Sequence, residues 1–341
     1  MYRVIVGGDE MHKHCFLKVL AAVVFVLLSV PTTAQKRVLH VYTSLPEQEA
    51  VVYINAFMTS HPDIEVRWVR LSTGRMLARI RAEASNPQAS LWFGGPTDAY
   101  IVAAREGLFT PYKESLGWQY MPAEYKDPDG YWTGFGINYL CFVSNKNFLE
   151  EHGLEPPTSW YSLLDPVFKG KVSTAFPYTS GTGYARLATL VFLMGEEEAL
   201  NFEKKLSEQV LEYTESGPGC IPKVGLGEAA VGITYISDVL YAIAQGYPIV
   251  YSYPKEGTSY TTDCVALIKG GPEPDLAKIF YDWLLSAEAQ ELFKQFYRLG
   301  LNPSVTWPQG VVPEKLVKYD FLWASENRDR LINEWRRITG Y

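Results

Sequence analysis

The sequence predicts an α/β protein of two lobes, and three observations predict it. Short β-type runs alternate with helical periodicity over residues 38–106, and the alternation starts again at residue 138. The chain has 341 residues, more than one hydrophobic core usually serves. Its composition, 47% hydrophobic and 20% charged, is that of a folded globular chain.

The first lobe reads as strand then helix, three times over. Residues 38–42 (VLHVY) form a strand, followed by a helix over 46–60 with Val51, Ile54 and Met58 on one face and Pro46 in the first turn. The next strand, 64–69, alternates Ile64, Val66 and Trp68, and the helix over 73–84 turns Met76, Leu77 and Ile80 inward. A short strand at 91–93 is broken by Gly94-Gly95-Pro96, and 98–106 is the third helix. This order argues for a mainly parallel sheet. Residues 117–136, rich in Tyr, Trp, Pro and Gly, read as irregular chain. The second lobe restarts with a strand at 138–145. It continues with strands near 172–174, 231–234 and 249–253, and helices near 182–193, 196–206 and 238–245. A strand at 262–268 precedes helices over 274–285, 287–296 and 325–338.

Ahead of all this lies a leader. Lys13 and Lys18 precede an apolar run over 19–30, interrupted only by Ser29, and Thr32 and Ala34 supply small residues before a cut. That is the layout of a secretory signal peptide over residues 1–34, with Met11 as a second possible start. The apolar run is about twelve residues where a membrane span needs roughly twenty. No Cys stands at the cut to carry a lipid. The mature chain is expected to work outside the cytoplasm. Removing the leader takes the formal net charge from −7 to −8, because Arg3, Lys13 and Lys18 leave with Asp9 and Glu10. An acidic exported chain has no basic footprint for nucleic acid. Three cysteines remain, Cys141, Cys220 and Cys264, too few for a disulfide scaffold, and burial as small apolar residues is the expected role.

Catalytic and metal patterns are missing. His40, His61 and His152 lie far apart and near no Cys pair. There is no G-x-S-x-G elbow and no P-loop, and Gly225-x-Gly227 lacks a third glycine at dinucleotide spacing. No nucleophile-and-base set can be named, so the reading is a non-enzyme without metal or cofactor.

The informative pattern sits where strands hand over to helices. Thr43-Ser44 follows the first strand, Ser72-Thr73-Gly74 opens the second helix, and Thr97 follows Gly94-Gly95-Pro96. In the second lobe Ser180-Gly181-Thr182-Gly183 opens a helix. Helix N-termini present free N–H groups and partial positive charge, and hydroxyls add donors, so such junctions hold anions. Taken singly, each is an ordinary helix cap. Two glycines at the start of one helix are costly unless backbone must come close to something there.

These residues resemble the extracellular solute-binding proteins of bacterial ABC importers, in the branch that holds ferric-ion, 2-aminoethylphosphonate and hexose-phosphate binders. The resemblance spans about residues 38–301. It is carried by VYTSLPEQEA (41–50), HPDIEVRWVRLSTG (61–74), PPTSWYSLLDPVFKGKV (156–172), YTSGTGYA (178–185), GEAAVGITYISDVLYAIAQGYPI (227–249) and YPKEGTSY (253–260). It implies a two-lobed type II periplasmic binding protein-like fold with a ligand cleft between lobes joined by two crossover strands, near 133–140 and 252–262. The first lobe is then 35–135 plus about 261–303, the second 136–260, and C-terminal helices in 304–341 pack back on both. Cys141 and Cys264 map near the crossings, where a bridge between them is an alternative to free thiols.

Ferric binders of this branch present two adjacent Tyr, and the matching place here is Ser237-Asp238, with no adjacent Tyr pair anywhere in the chain. The resemblance therefore implies capture of a small anionic organic ligand, a phosphorylated or phosphonate compound. Ser180, Gly181, Thr182 and Gly183 are expected to face Thr43, Ser44, Ser72, Thr73 and Thr97 around the phosphoryl group, while Asp238 and Glu256 read the other end and Ser237, beside Asp238, is a further ligand-binding candidate. Helix capping for Asp238 and a solvated loop carboxylate for Glu256 are the plainer alternatives. Trp132 and Tyr184 are candidates for stacking on the ligand, with core packing as the default. The partner implied is an ABC permease at the inner membrane, served by a periplasmic monomer. A ferric-ion carrier and a sensor subunit for a membrane receptor are the other readings.

Overall fold

The structure is a computed structural model that describes residues 36–306 and 311–341, besides Met1. The expected leader, residues 1–34, otherwise lies outside the described residues. Residues 38–341 form one body. Its strands are β1 Arg37–Thr43, β2 Ile64–Arg70, β3 Leu91–Pro96, β4 Phe109–Thr110, β5 Thr133–Asn145, β6 Val172–Ala175, β7 Val210–Thr214, β8 Val231–Tyr235, β9 Ile249–Ser252, β10 Tyr260–Ile268 and β11 Leu299–Gly300. Its helices are α1 Glu47–Ser60, α2 Thr73–Ala82, α3 Thr97–Arg105, α4 Leu116–Tyr120, α5 Lys146–His152, α6 Gly181–Met194, α7 Glu196–Gln209, α8 Cys220–Gly225, α9 Ile236–Ala244, α10 Pro274–Leu284, α11 Ala287–Phe293 and α12 Phe321–Thr339.

The strands join in the order β2-β1-β3-β10-β5-β8-β6-β7. Parallel pairing is confined to the flanks: β1 with β3 on one side, β6 with β7 and β8 on the other. The middle is antiparallel, which corrects the expectation of a mainly parallel sheet. The cause is the crossing strands. Thr133 to Tyr139 of β5 pair with β10, and Leu140 to Ser144 of the same strand pair with β8, so one strand serves both halves of the sheet. β10 runs the other way beside it.

Each half is covered on both faces. In the first half, α1, α10 and α11 bury Phe57, Phe280 and Phe293 against one face, and α2 and α3 bury Met76, Ile80 and Tyr100 against the other. In the second, α6, α7 and α12 cover one face and α8 and α9 the other. The α2 stripe is as read from the sequence. In α1 the buried stripe is instead Ala50, Tyr53, Ile54 and Phe57, and Val51 is exposed. The aromatic rings of Tyr53 and Phe57 reach deeper than Val51 could, so they set the rotation of the helix.

The short elements α5, α8 and β7 carry little periodicity. β7 is an edge strand in which only Tyr213 and Thr214 are buried. In the tail the helix read over 325–338 is α12, which starts four residues earlier at Phe321. Residues 315–317 run extended beside Thr258, with Thr258 N donating to Lys315 O and Val317 N to Thr258 O. Asp320 caps α12 by accepting from Trp323 N at 2.9 Å. The helix packs on both halves: Arg328 pairs with Asp98 at the start of α3, and Trp335 Nε1 donates to Glu203 of α7 at 2.8 Å. Cys141, Cys220 and Cys264 are buried free thiols, and no bridge joins Cys141 to Cys264. Cys264 packs in the first half while Cys141 and Cys220 share a cluster in the second.

Candidate functional site

Two strand-to-helix junctions, one from each half, meet head to head. Ser72 is extended and hands over to α2 at Thr73; its hydroxyl makes no capping bond. Ser180 hands over to α6 and accepts from Gly183 N at 3.3 Å. Gly74 N donates to Thr179 O at 2.8 Å, a backbone bond between the halves. A side chain at Gly74 would run into Tyr178 O, and one at Gly181 into Pro96 and Thr73. Glycine at both positions lets the two helix starts close on each other.

Between them lies a cavity of about 40 Å³. Ser44, Ser72, Thr73 and Gly95 line it from the first half. Ser180, Gly181, Thr182 and Gly217 line it from the second. The N-termini of α2 and α6 both bring free N–H groups and positive helix-dipole ends to this space.

Charged groups that the sequence did not reveal complete the walls. Arg70, at the end of β2, holds Leu45 O through Nε at 3.1 Å and lines the cavity. Arg298 also lines it, and grips Glu49 of α1 through Nε and Nη2 at 2.9 and 3.1 Å and Asp263 of β10 through Nη1. Asp263 in turn accepts from Gly95 N at 2.9 Å, which pins the glycine pair at the end of β3. Asp238 faces Arg70 from the other half and accepts from Thr234 Oγ1 at 3.2 Å. Burial, followed by the charge of Glu49, pushes its carboxyl up to about 7. Arg70 stands one residue from a recognisable junction, and Arg298 is a lone cation in an apolar stretch. Each carried a signal, but only in combination with partners distant in sequence.

Of the residues singled out from the sequence, Ser44, Ser72, Thr73, Ser180, Gly181, Thr182 and Asp238 come together at this cavity. The others do not line it. Thr43 Oγ1 accepts from Leu45 N at 3.2 Å and shapes the turn into α1. Thr97 Oγ1 donates to Thr262 O at 3.2 Å, binding the start of α3 to β10. Gly183 packs against the backbone of Ala175 and Phe176, so its closeness is to the end of β6. Ser237 is held by Asn138, whose Nδ2 donates to its Oγ at 2.5 Å. Glu256 accepts from Ser159 Oγ and from Trp160 N at 3.2 Å, fixing the turn that starts at Ser159. Asp238 sits in the first turn of α9, with Tyr235 at the cap position. Trp132 and Tyr184 are core residues, and the Tyr184 hydroxyl is spent on Ala324 O. Tyr235 is the tyrosine at the cavity. Among the described residues, no group of three or more His, Cys, Asp or Glu side chains is placed to hold a metal ion.

A sequence family described as bacterial extracellular solute-binding protein matches residues 98–327. An uncharacterised protein of Haemophilus influenzae is 37% identical over 286 residues, covering 80% of this chain and 82% of its own. A putative 2-aminoethylphosphonate-binding periplasmic protein of Salmonella typhimurium is 25% identical, covering 78% of this chain and 79% of its own. Among solved structures, the periplasmic binding protein AfuA of Actinobacillus pleuropneumoniae, with exogenous fructose-6-phosphate bound, superposes with a TM-score of 0.84 at 31% identity. It covers 90% of this chain and 99% of its own. The fold is that of the type II periplasmic binding proteins. Two of these three relatives are described as periplasmic binding proteins.

Proposed function

This chain belongs to the bacterial extracellular solute-binding proteins, the substrate-binding components of ABC importers, and from that premise we propose that its cleft captures a small phosphorylated or phosphonate compound in the periplasm and delivers it, as a monomer, to an inner-membrane permease. One observation carries the choice of ligand: a small cavity lies between two helix N-termini, edged by neutral hydroxyls, two arginines and the carboxylates Asp238 and Asp263, of which Asp263 is already held by Arg298. A phosphoryl group has three terminal oxygens and negative charge, and it matches the donors. The AfuA and 2-aminoethylphosphonate relatives support the same chemical class. A trivalent cation would meet Arg70, Arg298 and two positive helix ends here, with Tyr235 and the carboxylates Asp238 and Asp263 as the groups that could hold it, and Asp263 is already taken by Arg298 and Gly95 N. That favours the anion over iron.

Most of the donors are neutral and are shared between the two halves. When the halves part by a hinge motion, one set is lost at once, and the ligand can leave for a permease. The test is calorimetric titration with glucose 6-phosphate, 2-aminoethylphosphonate, inorganic phosphate and ferric citrate. A phosphoryl or phosphonate compound is expected to bind, and Thr182→Ala to weaken it about tenfold, the effect of one lost hydrogen bond to a charged group. Binding of ferric citrate alone, unaffected by Thr182→Ala, would overturn the proposal.

A further inference from the structure

Among the described residues, positive φ angles belong to glycines, with one exception. Tyr297 stands at φ 56° and ψ 21°, a left-handed conformation that crowds the Cβ of an L-residue. It is exposed, so burial of its ring does not hold it there. Strain of this kind persists where the flanking structure imposes it. The next residue is Arg298, the cation that lines the cleft.

Both flanks are fixed. After α11 the chain makes a short helical turn, Lys294–Phe296, and ends it with the two bonds of a Schellman motif: Tyr297 N donates to Lys294 O and Arg298 N to Phe293 O, each at 3.2 Å. The residue at the bend of that motif is left-handed, and glycine usually fills it. Before the bend, Phe296 is buried with its ring edge-on to Tyr53 of α1, 5.8 Å between centroids. After the bend, Arg298 grips Glu49, one helical turn earlier on α1, and Leu299 pairs with Ile137 of the crossing strand β5. Tyr53 Oη donates to Glu49 Oε2 at 3.3 Å, so the two anchor points are themselves joined. A right-handed residue at this position would prolong the helix, and an extended one would straighten the chain. Either would carry the Arg298 side chain away from Glu49 and Asp263. Glycine fits the bend without strain, and a β-branched residue fits it worst.

We propose that the left-handed turn at Tyr297 aims the Arg298 guanidinium into the cleft, which makes Tyr297 a positioning residue for anion binding that never touches the ligand. Its effect on the ligand rests on the anion reading of the cavity; the aiming of Arg298 does not. Side-chain proton–nitrogen NMR reads the aiming directly. The Nε–H groups of Arg298 and Arg186 each donate to a buried carboxylate, at 2.9 and 2.8 Å, and each is expected to give a slowly exchanging signal, assigned by its loss in Arg298→Lys or Arg186→Lys. Tyr297→Gly is expected to keep both signals. Tyr297→Val is expected to speed exchange of the Arg298 signal about tenfold or more, as one hydrogen bond to a charged group is lost, and to leave the Arg186 signal as it was. Calorimetry with inorganic phosphate, glucose 6-phosphate and 2-aminoethylphosphonate gives the second readout. The probe that the native protein binds is expected to bind about tenfold more weakly to Tyr297→Val and within about twofold of native to Tyr297→Gly. Thermal melting confirms that each variant is folded, and Tyr297→Ala, a milder conflict with the same turn, replaces Tyr297→Val if that protein does not fold. An Arg298 signal that Tyr297→Val leaves unchanged, that Tyr297→Gly abolishes, or that fades only together with the Arg186 signal overturns the aiming role. A changed Arg298 signal with unchanged affinity overturns the effect on the ligand. Failure of every probe to bind the native protein overturns the anion reading and leaves the aiming of Arg298 to the NMR result.

Discussion

Two buried arginines show how the same pairing can serve opposite ends. Arg186 of α6 is enclosed in the second half. It donates through Nε and Nη2 to Glu203 at 2.8 and 3.0 Å and through Nη1 to Thr174 Oγ1 and Ala175 O at 2.7 and 3.0 Å. Glu203 also accepts from Trp335. One cation meets one anion, and both side chains are fully buried. Arg298 has two carboxylates, Glu49 and Asp263, and lines the cleft. The excess negative charge is felt across the cleft, where Glu49 helps to raise the carboxyl of Asp238. A balanced, closed pair is a strut; an unbalanced, open one sets the field in a binding site.

The comparison breaks most sharply at Arg186. Arg186→Met should leave Glu203 buried and unpaired, at a cost of roughly 3–5 kcal/mol. The urea midpoint should fall accordingly, while the folded fraction binds ligand as before. A variant that keeps its stability would show that Glu203 is neutralised by other means, and that the strut reading is wrong. Arg298→Met should lose stability as well, but its signature is binding. Glu49 and Asp263 would then stand unopposed beside the anion, and affinity for whichever phosphoryl probe the native protein binds should drop roughly a hundredfold, about 3 kcal/mol. Unchanged affinity in folded Arg298→Met would place this network with Arg186, as packing alone.

The division also explains what was legible in the sequence. Strand-to-helix junctions are local, so Ser72-Thr73 and Ser180-Gly181-Thr182 could be read from spacing, and they do meet at the cavity. The arginine networks are long-range: Arg298 and Glu49 stand 249 residues apart, and no local pattern links them. The same limit explains the candidates that do not line the cavity. Glu256 and Ser237 lie in segments that resemble binding motifs, yet their polar atoms are taken by Ser159 and Asn138, partners 97 and 99 residues away. Local periodicity also gave most helices of both halves. It missed the antiparallel centre of the sheet, because that follows from how two crossing strands pair and not from either strand alone.

Asp238 offers a gentler probe of the field around Arg298. Its carboxyl is raised in the folded protein from an ordinary 3.8 to about 7, so the native state holds a proton that the unfolded chain gives up. Stability carried by that proton is present below about pH 4 and is lost as pH rises towards 7. Between pH 5 and pH 8 the loss from this one group should be on the order of 2 kcal/mol. Asp238→Asn should flatten that part of the profile and be the more stable protein at pH 8. Urea unfolding of both proteins at the two pH values is the measurement. Parallel profiles would mean that the Asp238 carboxyl is not raised in the folded protein.

The smallest effect should come from an ion pair that resembles Arg186–Glu203 in chemistry and differs in everything else. Arg75 of α2 and Glu215, just past β7, face each other across the lips of the cleft, with Nε and Oε2 at 2.6 Å and both side chains more than half exposed. Water and salt screen such a pair, and its worth is roughly 0.2–1 kcal/mol. It joins the two halves, so that small energy belongs to the closed state. Arg75→Ala should therefore leave the urea midpoint unchanged and speed ligand release by up to about fivefold. Raising the salt concentration should speed release from the native protein in the same direction and have less effect on the variant. The double exchange Arg75→Glu with Glu215→Arg should restore slow release, because the pair is rebuilt with its charges reversed. Stopped-flow dissociation measures all three. A release rate that ignores both the variant and the salt would mean that closure is held by the Gly74 to Thr179 backbone bond and the packed helix starts alone, and that charge at the lips plays no part.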